Sequence, residues 1–136
     1  MKTPRDKAAC TTISSGGVND DTYTHVIVAG GQTTKNSGGP TNSVEIFIIK
    51  DNLWKPGPSL PQNIAKAALV AGDGTTAAAF LVGGTRGQTD SFKSLDLIYK
   101  LSIDLARWTL FSPKLAKPRR AHIAITIPKS VIGCGQ

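Results

Sequence analysis

The sequence predicts an all-β chain assembled from a repeated four-stranded antiparallel unit, and three observations carry that reading. Two glycine pairs, Gly30-Gly31 and Gly83-Gly84, each end an apolar run and lie 53 positions apart. Trp54 and Trp108 keep nearly the same step, 54 positions. The last six residues, 131–136 (VIGCGQ), echo residues 27–32 (IVAGGQ) at a step of 104, about twice the period. Self-similarity at about fifty residues marks architectures in which each repeat is one supersecondary unit that buries its faces only by stacking on a neighbour.

Taken in order, the elements of one unit are a strand before the glycine strand, the glycine strand, a strand after a long loop, and the tryptophan strand. Residues 25–29 (HVIVA) and 78–82 (AAFLV) are continuous apolar runs, which predicts strands covered on both faces. The loops after them, residues 33–42 (TTKNSGGPTN) and 84–90 (GTRGQTD), are too dense in breakers to form regular structure. Residues 44–49 (VEIFII) are rich in β-branched side chains and predict the third strand. Its counterpart is the alternating series Leu95, Leu97, Tyr99, Leu101, Ile103 and Leu105. A helical reading of that stretch fails because Ser102 and Asp104 interrupt the helical face while the period of two persists.

Each tryptophan strand is ended by proline, at Pro56, Pro58 and Pro61 after Trp54 and at Pro113 and Pro118 after Trp108. Residues 62–71 (QNIAKAALVA) carry alanine and lysine at helical spacings, but the repeat counterpart, residues 120–127 (RAHIAITI), has the β-branched content of a strand. The repeat decides, and both are expected as strands. The expected units are residues 8–54, residues 65–108 and a half unit at residues 121–136.

Composition bounds the rest. With 40% apolar and 18% charged residues in 136, the chain belongs with globular proteins. No stretch of the sequence approaches a membrane span, and residues 1–10 lack the apolar core of a secretory signal. Cys10 and Cys134 match no metal or redox spacing. They are expected as free thiols packed like small apolar groups, which mildly favours a reducing compartment. The net charge of +7 concentrates in Lys2, Arg5 and Lys7 and in Lys114, Lys117, Arg119 and Arg120. Pro4-Arg5 and Pro118-Arg119 occupy equivalent repeat positions. Neither cluster is interleaved with aromatics that would stack bases, so both are expected as solvated loop charges, with a basic surface for nucleic acid or an acidic polymer as the alternative.

The pattern resembles the kelch repeat, a β-propeller blade marked by a double glycine and then an aromatic residue and a tryptophan at fixed distance. Gly30, Gly31, Phe47 and Trp54 match it, and so do Gly83, Gly84 and Trp108. Leu101 departs from it where the aromatic belongs, and Cys134 departs from it where a glycine does. The Pro-x-Pro-x-Leu-Pro stretch after Trp54 and the Arg120-Ala121-His122 triplet also resemble features that link successive kelch blades. The resemblance implies a propeller fragment of four-stranded antiparallel blades with its ring not closed. It implies a non-catalytic scaffold or adaptor that binds another protein through rim loops. Lys35, Asn36, Asn42, Arg86 and Asp90 are the expected partner-facing positions, since variable loops gather on such rims. Propellers have about four to eight blades, so about two and a half units are expected to belong to a longer protein or to close by association with other chains.

Little in the sequence points to chemistry. His25 and His122 lack an accompanying cysteine, carboxylate or serine motif and are expected as structural histidines. Asp20, Asp21 and Asp73 read as turn formers. Propellers of similar repeat type include copper radical oxidases, but such a site needs tyrosines, histidines and a cysteine converging on one metal. Tyr23, Tyr99, His25, His122, Cys10 and Cys134 have repeat positions that give no reason to converge. No cofactor is expected.

Overall fold

A computed structural model describes residues 1–14, 23–33, 38–87 and 93–127. Ten strands and no helix are found among them: β1 Ala9–Ser14, β2 Tyr23–Ala29, β3 Val44–Ile48, β4 Leu53–Pro56, β5 Ala68–Ala71, β6 Ala79–Val82, β7 Thr85–Arg86, β8 Lys93–Ser94, β9 Ile98–Leu101 and β10 Trp108–Phe111. Two four-stranded antiparallel sheets form, in the orders β1-β2-β3-β4 and β5-β6-β9-β10, and neither closes on itself. Each is a meander, and the second repeats the first.

The register determines which side chains share a face, because residues directly opposite across a ladder point the same way and neighbours along a strand alternate. In the first sheet Ile27 lies opposite Thr11 and Ile46, and Ala29 lies opposite Ala9 and Val44. In the second, Leu81 lies opposite Leu69 and Tyr99, and Leu101 lies opposite Ala79 and Trp108. These two faces meet with β1 beside β5, and their apolar residues form a single buried cluster. Ile27, Ala79, Leu81 and Leu101 are sealed from solvent within it. Trp108 closes the seam, its indole Nε1 donating to the carbonyl of Pro58 at 3.1 Å.

The opposite faces are only half-buried, which corrects the expectation that strands 25–29 and 78–82 are covered on both sides. In β2 burial alternates, with Ile27 and Ala29 buried and Val26 and Val28 partly exposed. The apolar content of those strands suits two neighbours, and the seam supplies one. Cys10 is corrected for the same reason: it shares a face with Val28, on the open side, and its thiol is exposed. Cys134 lies outside the described residues.

Three strand boundaries also differ. The 95–105 alternation yields a strand only at Ile98–Leu101. Beyond it Ser102 Oγ accepts from the backbone N–H of Ala106 and Arg107, and Asp104 Oδ1 accepts from Ala106 N–H. This side-chain cage turns the backbone, Leu105 takes φ 58°, and Ile103 ends up 52% exposed. Ser102 and Asp104, which break a helical face, break the strand as well. In residues 62–71 the strand is confined to Ala68–Ala71, with Ile64 and Ala65 making isolated bridges. Residues 121–127 pair with no strand among the described residues, and Ile123 and Ile125 are 89% and 75% exposed. The hairpin β7-β8 was unexpected in a breaker-rich loop. It forms around Thr85, which is fully buried, exchanges backbone hydrogen bonds with Ala65 and donates its hydroxyl to the carbonyl of Lys93.

Candidate partner-binding site

At one end of the sheets the glycine pairs receive the next stretch of chain. Gly30, Gly31, Gly83 and Gly84 have φ between 61° and 99°, a region that L side chains adopt at a cost. Gly31 N–H donates to Ile64 O, and Gly84 N–H donates to Arg119 O, both at 2.9 Å. Beside these contacts Lys7, Lys66 and Ala121 share φ values of 52°, 55° and 52°. Lys66 N–H donates to Lys7 O, and Ala121 N–H donates to Lys66 O. The same backbone turn therefore recurs three times, at Lys7, Lys66 and Ala121.

Of the expected partner-facing positions, Lys35, Asn36 and Asp90 lie outside the described residues. Asn42 is half-buried and its carbonyl accepts from Leu60 N–H at 2.8 Å. Arg86 is exposed, with one guanidinium nitrogen 3.5 Å from Gln62 Oε1. The structure does not bring Asn42 and Arg86 into one described surface feature.

The basic clusters differ from each other. Arg5 is no solvated loop charge. Its side chain is 1% exposed and ion-pairs through Nη2 with Glu45 at 2.9 Å, while Nη1 donates to the carbonyls of Gly30 and Ser43 and Nε to that of Thr3. Lys7 lies 3.4 Å from Asp6 at the surface. Lys114 faces Asp96 at 4.0 Å, and Arg119 and Arg120 are exposed.

The opposite end holds a groove of about 570 Å³ between the two sheets. Strand ends and turns of both sheets build it. Ile13 and His25 come from β1 and β2, Ile48 and Ile49 from the end of β3 and the turn after it, Ala71 and Gly72 from the end of β5 and the turn after it, and Ile103 and Leu105 from the β9-β10 turn. Two of those turns are locked by aspartates. Asp73 Oδ1 accepts from the N–H groups of Thr75 and Thr76, and these bonds hold its carboxyl far below the usual carboxylate range. The Asp104 carboxyl is lowered by Ser102 first and by the Ala106 N–H second. The walls are mainly aliphatic, with the His25 imidazole, bonded to Thr24 Oγ1 at 2.9 Å, and Lys50 at the edge. Sequence reasoning missed this groove because no single segment carries it. The available signal was isoleucine at turn positions, where polar residues are the rule.

Such a lining suits apolar recognition. Tyr23 and His25 lie at this rim, Cys10 on the open face of the first sheet and Tyr99 in the core. Among the described residues no three His, Cys, Asp or Glu side chains are placed to share a metal ion. His122 is half-buried with its ring against Gly83 at the other end, and its two ring nitrogens are shielded from solvent without a hydrogen-bond partner. Burial, and secondarily Arg119, push its imidazole below its ordinary value of 6.5. A histidine depressed in the fold contributes stability that is fully present above its unfolded value and lost as pH falls through the folded one. Urea midpoints of the wild type are therefore expected to decline between pH 7 and pH 5, and His122→Gln to flatten that decline.

Two antiparallel four-stranded meanders, stacked face to face and joined at paired glycines, define a blade-repeat protein of β-propeller type. A family model described as the Kelch motif matches residues 22–61, which span β2, β3, β4 and the proline-rich stretch after Trp54. Residues 22–61 therefore carry a Kelch motif. No curated protein matches it.

Proposed function

We propose that the chain is a non-catalytic protein-binding module that takes an apolar segment of its partner into the groove between the two sheets. Kelch motifs are generally protein-interaction repeats. The observation that supports the groove is its construction: turns from both sheets place Ile49, Ile103 and Leu105 around one concavity, and Ile49 and Ile103 are 41% and 52% exposed. Concave apolar sites with a few polar groups at the edge are the usual form of binding pockets. The loops of the glycine rim offer less, since Asn42 is engaged by the chain itself. A nucleic-acid role loses support from Arg5, whose charge is spent on Glu45.

Peptides selected on the immobilised protein from a displayed random library provide the test. Their affinity, measured by fluorescence anisotropy, is expected to fall at least about tenfold (about 1.4 kcal/mol) on Ile103→Asp and to hold on Arg86→Ala. The reverse pattern would return the site to the glycine rim.

A further inference from the structure

The molecule exposes both halves of its own seam. The seam joins the face of the first sheet that carries Ile27, Ala29, Val44 and Ile46 to the face of the second that carries Leu81, Tyr99, Leu101 and Trp108. The repeat steps of 53 and 54 transfer each half onto the other sheet. The open face of the first sheet, with Val26, Val28, Phe47 and Trp54, is equivalent to the buried face of the second. The open face of the second sheet, with Val70, Phe80, Val82, Ile98 and Phe111, is equivalent to the buried face of the first.

Both open faces are ordered and apolar. Phe47 packs on Trp54 and Phe80 on Phe111, each pair 5.2 Å apart between ring centroids.

The geometry points to head-to-tail association of this chain with second copies of itself, the Trp54 face of one copy seated on the Phe80 face of the next. This interaction is independent of the groove. Such a contact is heterologous, so it propagates until rotation closes the ring. Propellers close at about four to eight blades, which at two blades per copy means about two to four copies. Residues 121–127 now lie along the inner edge of the Phe80 face, tethered by Ala121 N–H to Lys66 O and by Thr126 Oγ1 to Ala71 O. The incoming copy displaces them with β1, which occupies the equivalent repeat position and arrives already paired to β2.

Native mass spectrometry and sedimentation velocity on the full chain, over a wide concentration range, test this with Trp54→Glu and Phe80→Glu. The wild type is expected to form closed species of two to four copies. Each variant alone is expected to be monomeric, because each loses one half of the contact. An equimolar mixture is expected to give a dimer of one copy of each variant and to stop there, since one intact Trp54 face and one intact Phe80 face remain. Val26→Lys and Ile98→Asp repeat the test if either first variant fails to give native circular dichroism. A wild type that stays monomeric overturns the proposal and leaves the open faces to further kelch units of a longer chain. So does a mixture that stays monomeric, and so does a single variant that keeps the wild-type assembly.

Discussion

Gly30→Ala is expected to lower stability by about 3 kcal/mol or more, read as a drop in the urea midpoint. Two costs combine. The backbone at Gly30 has φ 63°, and an L side chain in that left-handed region costs about 1 to 2 kcal/mol. A methyl group there would also collide with the carbonyl oxygen of Ile64. That oxygen is fixed, since it accepts from Gly31 N–H at 2.9 Å and belongs to the chain that crosses from one sheet to the next. Relief therefore requires the seam itself to open, with loss of apolar contacts around Leu60 and Ile64, which are 2% and 1% exposed. Gly38→Ala is the control. Its φ is 76° and no atom lies within 4 Å of an added methyl group, so only the backbone cost of about 1 to 2 kcal/mol applies. Equal losses at the two positions would show that the glycine pair serves backbone conformation alone and does not hold the seam.

The repeat was legible because its markers report different physics at one spacing. Glycine pairs report a left-handed backbone under close approach, tryptophan reports a large apolar seal, and the period joined them into two four-stranded sheets. What the spacing left hidden was the neighbour. Trp54 and Trp108 are equivalent by repeat, yet Trp108 is 6% exposed at the seam while Trp54 is partly exposed against Phe47. A burial pattern belongs to the pair of faces, and a sequence shows each face alone. The β9 boundary was hidden for a local reason, since the alternation of apolar residues runs on through a turn that Ser102 and Asp104 build from side-chain hydrogen bonds. The groove was hidden because its walls come from strand ends and turns in both sheets, drawn from residues 13 to 105.

Arg5 shows the same limit in its sharpest form, and Arg5→Ala is expected to cost about 3 to 5 kcal/mol, the loss associated with breaking a buried ion pair by removing one partner. In sequence Arg5 sits between Pro4 and Asp6 near two lysines, as solvated charge does. In the fold it meets Glu45, forty residues away, and both side chains are nearly sealed, at 1% and 9% exposure. Glu45 accepts in turn from the backbone N–H of Lys2 at 2.6 Å, so the pair also ties the first residues to β3. Without the guanidinium, Glu45 is left as a buried charge, the Gly30 carbonyl loses the Arg5 donor, and the Ser43 carbonyl keeps only the Gly30 N–H. Arg119 holds the same repeat position but is exposed, and Arg119→Ala is expected to change stability by no more than about 0.5 kcal/mol. The second unit also contains the apolar solution to the same position. Ile64 stands two residues before Lys66, as Arg5 stands two before Lys7, and Tyr99 stands two residues before Leu101, as Glu45 stands two before Phe47. Ile64 and Tyr99 are 1% and 7% exposed. Replacing a buried ion pair by apolar residues is often neutral or stabilising, so Arg5→Ile combined with Glu45→Tyr is expected to recover most of what either change alone loses. A double-mutant cycle measures that coupling. Additive losses would mean that the two side chains contribute separately, through Gly30 and Ser43 on one side and Lys2 on the other, and that the ion pair adds nothing of its own.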